Sequence, residues 1–82
     1  MVKQEELPQL ITTVKSLIAQ SRNILFPSIT LYVEISKIEE TGDSVIIEGR
    51  WSHFPEGGYF SMKIKKDDRS ILSFKLEERR LV

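Results

Sequence analysis

Apolar residues recur at Leu7, Leu10, Ile11, Val14, Leu17 and Ile18, the three-and-four spacing of one helix face, and beyond Asn23 the chain changes to a period of two. Ile29, Leu31, Val33 and Ile35 alternate with Thr30, Tyr32 and Glu34, the pattern of a strand with one face on a core and the other in water. Pro8 is best tolerated in the first turn of a helix, where its missing N–H has no partner to lose, so a helix is predicted over residues 5–23. Glu5 and Glu6 then sit at its positive end, Arg22 in its last turn, and Asn23 at the left-handed position that ends it.

Pro27 holds Phe26 extended as the chain turns into a first strand, predicted over residues 28–39. Glu40-Thr41-Gly42 has the form of a three-residue hairpin loop with glycine in the left-handed position, which sets Glu39 against Asp43 and opens a second strand over residues 44–54. That register pairs Ile35 with Ile47, Val33 with Gly49 and Leu31 with Trp51. Pro55-Glu56-Gly57-Gly58 is a strong turn signal; a four-residue loop there places Phe54 opposite Tyr59 and Trp51 opposite Met62, with a third strand over residues 59–66. A polar turn around Asp67 and Asp68 leads to a fourth strand over residues 70–78, where Leu72, Phe74 and Leu76 alternate with Ser73, Lys75 and Glu77. Short loops lay each strand antiparallel beside the one before it. The predicted core unites Leu10, Ile11, Val14, Leu17, Ile18, Leu31, Val33, Ile47, Trp51, Met62, Ile64, Leu72 and Phe74.

The fold class is therefore α+β in two layers, one N-terminal helix on the apolar face of a four-stranded antiparallel meander, all in a single domain over residues 1–82. In outline this resembles the cystatin-like architecture, in which a curved antiparallel sheet cradles a helix. The resemblance is one of topology across most of the chain. The glutamine-valine-glycine hairpin signature of the inhibitors is not in the sequence, so protease inhibition is not implied. The alternative is an Sm-like small barrel with an N-terminal helix, which needs Arg79 to Val82 as a fifth strand and whose glycine-rich and Asp-Gly turn pattern is missing here.

At 82 residues the chain removes only roughly 60 to 65% of its unfolded surface on folding, which leaves modest stability and favours self-association as a second source of it. There is no Cys for a disulfide, and the single His53 makes no metal site by itself. The missing cysteines suit a reducing cytoplasm. Lys3, Glu5 and Glu6 interrupt the stretch where a signal peptide needs an apolar run, and Ile24-Leu25-Phe26 is far too short to span a bilayer, so a cytoplasmic protein with no membrane association is expected. Twelve basic residues balance twelve acidic ones, which speaks against the broad positive footprint of a protein devoted to nucleic acid and leaves only local patches. Ten isoleucines among many Lys and Glu, with one alanine, is a bias met in proteins of hot environments.

The sequence holds no glycine-rich phosphate loop, nucleophile elbow or metal-ligand spacing, so no catalytic residue, metal or cofactor is expected. The expected class is a non-enzymatic interaction or assembly module. It would work through the sheet edges or through the sparsely charged helix face of Gln9, Thr12, Thr13, Ser16 and Gln20, with a homodimer or another protein as partner. The alternative is a small-ligand or RNA-binding domain using Tyr32, Arg50, Lys63 and Lys65 on the outer sheet face, with Tyr59 and His53 at the aromatic end around Trp51, because aromatics beside basic groups stack bases and hold phosphates. The predicted register also sets Glu34 across from Glu48. Two carboxylates at roughly 5 Å can share a proton or a cation, or belong to an exposed lattice of ion pairs with Arg50, Lys63 and Lys65. As a catalytic base His53 would need a nucleophile, yet Ser52 and Ser61 fall on the opposite face.

Overall fold

The computed structural model describes residues 2–80. A 3-10 turn at Gln4–Glu6 leads into helix α1, Leu7–Arg22, with Pro8 in its first turn. The helix stops at Asn23, left-handed at φ 56° and ψ 44°, whose N–H donates to the Ala19 carbonyl. A single helical turn, α2, Pro27–Thr30, precedes four strands: β1, Tyr32–Thr41; β2, Ser44–His53; β3, Glu56–Lys65; and β4, Ile71–Arg80. They form one antiparallel sheet in the order β1-β2-β3-β4. One helix on a four-stranded antiparallel sheet is the α+β architecture that the two hydrophobic periods require, and its outline is consistent with the cystatin-like one. Among the described residues no fifth strand closes the sheet into a barrel: Arg79 and Arg80 prolong β4, while Leu81 and Val82 lie outside the described residues.

Leu10, Val14 and Ile18 of α1 are buried against Val33 of β1, Val45, Ile47 and Trp51 of β2, and Phe60, Met62 and Ile64 of β3, with Leu31 sealing the entry to β1. No residue of β4 is fully buried, and its Phe74 and Leu76 only flank the core. The predicted core is corrected accordingly: Ile11, Leu17 and Phe74 pack at the rim, whereas Val45 and Phe60 are inside. Leu72 is 49% exposed, because Ile71 pairs with Ile64 and Ser73 with Lys63, leaving Leu72 as the extra residue of a bulge. Ion pairs pin both ends of α1. Arg69 donates to both Glu6 carboxylate oxygens at 3.0 and 3.1 Å, and Arg22 pairs with Glu56 at 2.6 Å and with Glu78 while its guanidinium lies 5.2 Å above the Trp51 ring.

Three turns differ from expectation, each for a local reason. The alternation that begins at Ile29 reads as strand, yet Phe26 is left-handed at φ 57° rather than extended and Pro27 opens a helical turn in which the Ile29 and Thr30 N–H groups both donate to the Phe26 carbonyl, so Ile29 is 82% exposed and β1 starts at Tyr32. The first hairpin closes with only Gly42 and Asp43 between Thr41 and Ser44. The register therefore slides, pairing Ile38 with Ile47, and a bulge at Ser36 restores the faces so that Ile35 meets Gly49 and Val33 meets Trp51. In the second hairpin the turn is Phe54-Pro55, joined by a cis peptide bond, and His53 pairs with Glu56. Gly57 and Gly58 thus belong to β3, Trp51 lies across from Gly58 rather than Met62, and Met62 faces Ile47.

Gly58 is what the Trp51 ring demands of that strand. The indole N–H reaches across β3 to donate to the Glu77 carbonyl at 3.1 Å. A Cβ on Gly58 would stand 2.0 Å from that oxygen, and its φ of 154° is one that L side chains rarely adopt.

Candidate functional site

The helix covers one sheet face, so the other is open and carries Tyr32, Arg50, Tyr59, Lys63 and Lys65, while His53 falls on the helix side in phase with Trp51. Cross-strand pairing lines up Glu34 of β1, Arg50 of β2, Tyr59 of β3 and Glu77 of β4 in one row, with Tyr32 beside them. Arg50 donates to the Glu34 carboxylate, which also accepts from the Tyr32 hydroxyl at 3.2 Å; Arg79 lies 5.5 Å above the Tyr59 ring and 3.6 Å from Glu77. Tyr32, Glu34, Arg50, Ser52, Tyr59 and Arg79 wall a recess of about 470 Å³, in which Tyr32 and Tyr59 remain 60% and 46% exposed. The Arg50 guanidinium holds the Glu34 carboxyl below the usual glutamate range and the pair holds Arg50 in its charged form.

Of the six sequence-predicted site residues, the structure gathers Tyr32, Arg50 and Tyr59. Lys63 stands across from Ile46 and Ser73, and Lys65 across from Ser44, at the opposite end of the sheet. Their separation from Tyr59, four and six residues along one strand, is roughly 13 and 20 Å. His53 is half-buried at the end of β2, beside Glu56 and well away from Phe60, which pairs with Gly49. The expected Glu34–Glu48 pair does not form, because the slid register puts Arg50 across from Glu34 and Lys37 across from Glu48. Arg79 was missed because the end of the fourth strand was placed at residue 78, one residue short of it. A second trough of about 520 Å³ runs beside this recess, floored by Ser36, Gly49 and Ser61 and reaching Lys75 and Glu77.

The two sheet edges are not equivalent. β1 is broken by its bulge at Ser36, whose hydroxyl donates to the Glu48 carbonyl at 3.3 Å, and α1 packs on the core side of this strand. β4 pairs with β3 without interruption from Ser73 to Arg80, an eight-residue run whose outer edge no strand among the described residues covers. Since the Glu77 carbonyl is turned across β3 toward Trp51, the alternation of an antiparallel ladder directs the N–H and C=O of Phe74, Leu76 and Glu78 away from the sheet. On the helix side Phe74 stacks on Phe60 at 6.3 Å between ring centroids, and a recess of about 270 Å³ between α1 and the sheet is lined by Leu10, Met62, Ile64 and Ile71 on one part and by Glu6 and Arg69 on another.

Sequence periodicity also hid an apolar tip. Leu25, Phe26, Ile29 and Phe54 are 69 to 82% exposed on turns at one end of the sheet, where an alternating or turn-rich pattern had placed them in strands and loops. Among the described residues no helix is long and apolar enough to cross a membrane, and no three His, Asp or Glu side chains are gathered as metal ligands would be. Comparison with protein-family models, with curated proteins and with solved structures yields no match.

Proposed function

We propose that this domain is a non-enzymatic interaction module that takes an extended protein segment onto the free edge of β4 by strand addition. The observation that carries it is the unbroken run from Ser73 to Arg80, with alternate backbone groups directed outward and half-covered Phe74 and Leu76 on its flank. Unpaired ladder groups of this kind contribute affinity through main-chain hydrogen bonds, and flanking apolar side chains contribute selectivity. Lys75 blunts the edge only in part, since Glu77 follows it on the same face. A cytoplasmic setting suits a chain without cysteine.

A second reading, a small-ligand or RNA site, draws on the recess of Tyr32, Arg50, Tyr59 and Arg79. Its positive groups are already paired, Arg50 with Glu34 and Arg79 with Glu77, which weakens the attraction for phosphate. Both readings are separated by selecting binders from a displayed random-peptide library and mapping them by amide chemical shifts and hydrogen exchange. Strand addition predicts slowed exchange at Phe74, Leu76 and Glu78. Binders, or single-stranded oligonucleotides, that perturb Tyr32, Arg50 and Tyr59 would favour the second reading, and binders confined to Leu25, Phe26 and Phe54 would remove both.

A further inference from the structure

We infer that the segment seated on β4 is β4 of a second copy of this chain, antiparallel to the first and centred on Leu76; this rests on the strand-addition reading above. Lys75 and Glu77 stand on the open face, across from Ser61 and Tyr59, with Leu76 between them on the helix side. A copy centred on Leu76 sets each Lys75 against the other copy's Glu77, two opposite-charge pairs from one twofold axis, in competition with the exposed 3.6 Å contact of Glu77 to Arg79 in its own strand. Moving the centre one residue either way opposes Lys75 to Lys75 or Glu77 to Glu77, which like charges disfavour.

The backbone agrees with the charges. The outward N–H and C=O of Leu76 make the central Leu76–Leu76 pair a doubly hydrogen-bonded one, and Phe74 and Glu78 continue the ladder on either side. On the helix side the two half-buried Leu76 side chains meet, with each Phe74 diagonal to the other copy's Leu76 and across from its Glu78, which Arg22 of its own helix already holds. The open-face row that runs Glu34, Arg50, Tyr59, Glu77 then continues into the second copy's Lys75. β1 has no equivalent, because its bulge interrupts the edge and Glu39 and Glu40 crowd its end. An isologous contact through β4 closes on itself, whereas β1 against β4 would run on as a filament.

The test uses the full chain and two exposed substitutions, Lys75→Glu and Glu77→Lys, with circular dichroism to show that each still folds. Sedimentation equilibrium should find the wild type dimeric, each variant alone associating about tenfold or more weakly, and an equimolar mixture of the two restored to wild-type strength, because each variant's surplus charge meets its opposite in both cross-strand pairs. The amides of Phe74, Leu76 and Glu78 should exchange more slowly as the dimer forms. A wild type that stays monomeric into the millimolar range overturns the inference, and peptides that still protect the Leu76 amide would then leave strand addition standing. A dimer indifferent to both reversals, with that amide unprotected, overturns the inference as well, and strand addition falls with it only if no selected peptide protects the Leu76 amide.

Discussion

Single residues carry much of the geometry that places the open face. Gly58 lets β3 pass beneath the Glu77 carbonyl, and Gly49 lies so close to the Phe60 ring and the Glu34 carbonyl that a Cβ there would stand 2.7 and 2.0 Å from them. Gly42 also has a positive φ, of 58°, but open space surrounds it. The two cases separate strain from collision. Gly58→Ala is expected to cost at least about 1–3 kcal/mol from the backbone alone, with the displaced Trp51 indole bond in addition, and Gly42→Ala about 1 kcal/mol. Denaturant midpoints at unchanged m-value measure both; a Gly58→Ala midpoint equal to wild type would contradict the close approach.

At the scale of elements, charge pairs tie the helix to the sheet where apolar contacts end. Glu6 reaches Arg69 in the turn between β3 and β4, and that turn is held by Asp68, which accepts from the Ser70 hydroxyl and N–H, and by the Arg69 guanidinium donating to the Lys66 carbonyl at 2.8 Å. The Arg69 hydrogen bonds hold the Glu6 carboxyl below the usual glutamate range, and Ser70 does the same for Asp68. A carboxyl depressed in the folded state contributes stability that is present above its unfolded value and is lost as pH falls through the folded one. Melting temperature should therefore be flat near neutrality and fall below about pH 4.5. Glu6→Gln should melt lower than wild type at pH 7 and lose less on acidification. Parallel acid profiles for the two proteins would remove Glu6 from the account. The Glu6–Arg69 pair joins residues 63 apart in the chain, so no spacing in the sequence announces it.

For the molecule as a whole, the helix covers three strands and leaves the fourth half bare. A chain of 82 residues buries a limited core, and the proposed pairing through β4 would add to it. Melting temperature should then rise by several degrees over roughly a hundredfold increase in protein concentration and stay flat for Lys75→Glu over the same range. A concentration-independent wild type would speak against assembly. The two hydrophobic periods, read along the chain, determined one helix, four strands, their antiparallel order and most of the residues that face inward, because period and loop length are local properties of sequence. They also put Tyr32 beside Arg50 on the outer face, whereas the pairing of Arg50 with Tyr59 came only with the structure. What tertiary structure alone decided is the pairing: a two-residue turn at Gly42-Asp43, the bulge at Ser36 and the glycines drawn into β3 replaced Glu48 by Arg50 opposite Glu34, and put Tyr59 rather than Lys63 across from Arg50 and Ser61 rather than Lys65 across from Glu48. Side-chain faces repeat every two residues, so slides that keep or restore that parity leave the apolar pattern intact while changing every cross-strand partner, and only packing around Trp51 and Phe60 selects among them.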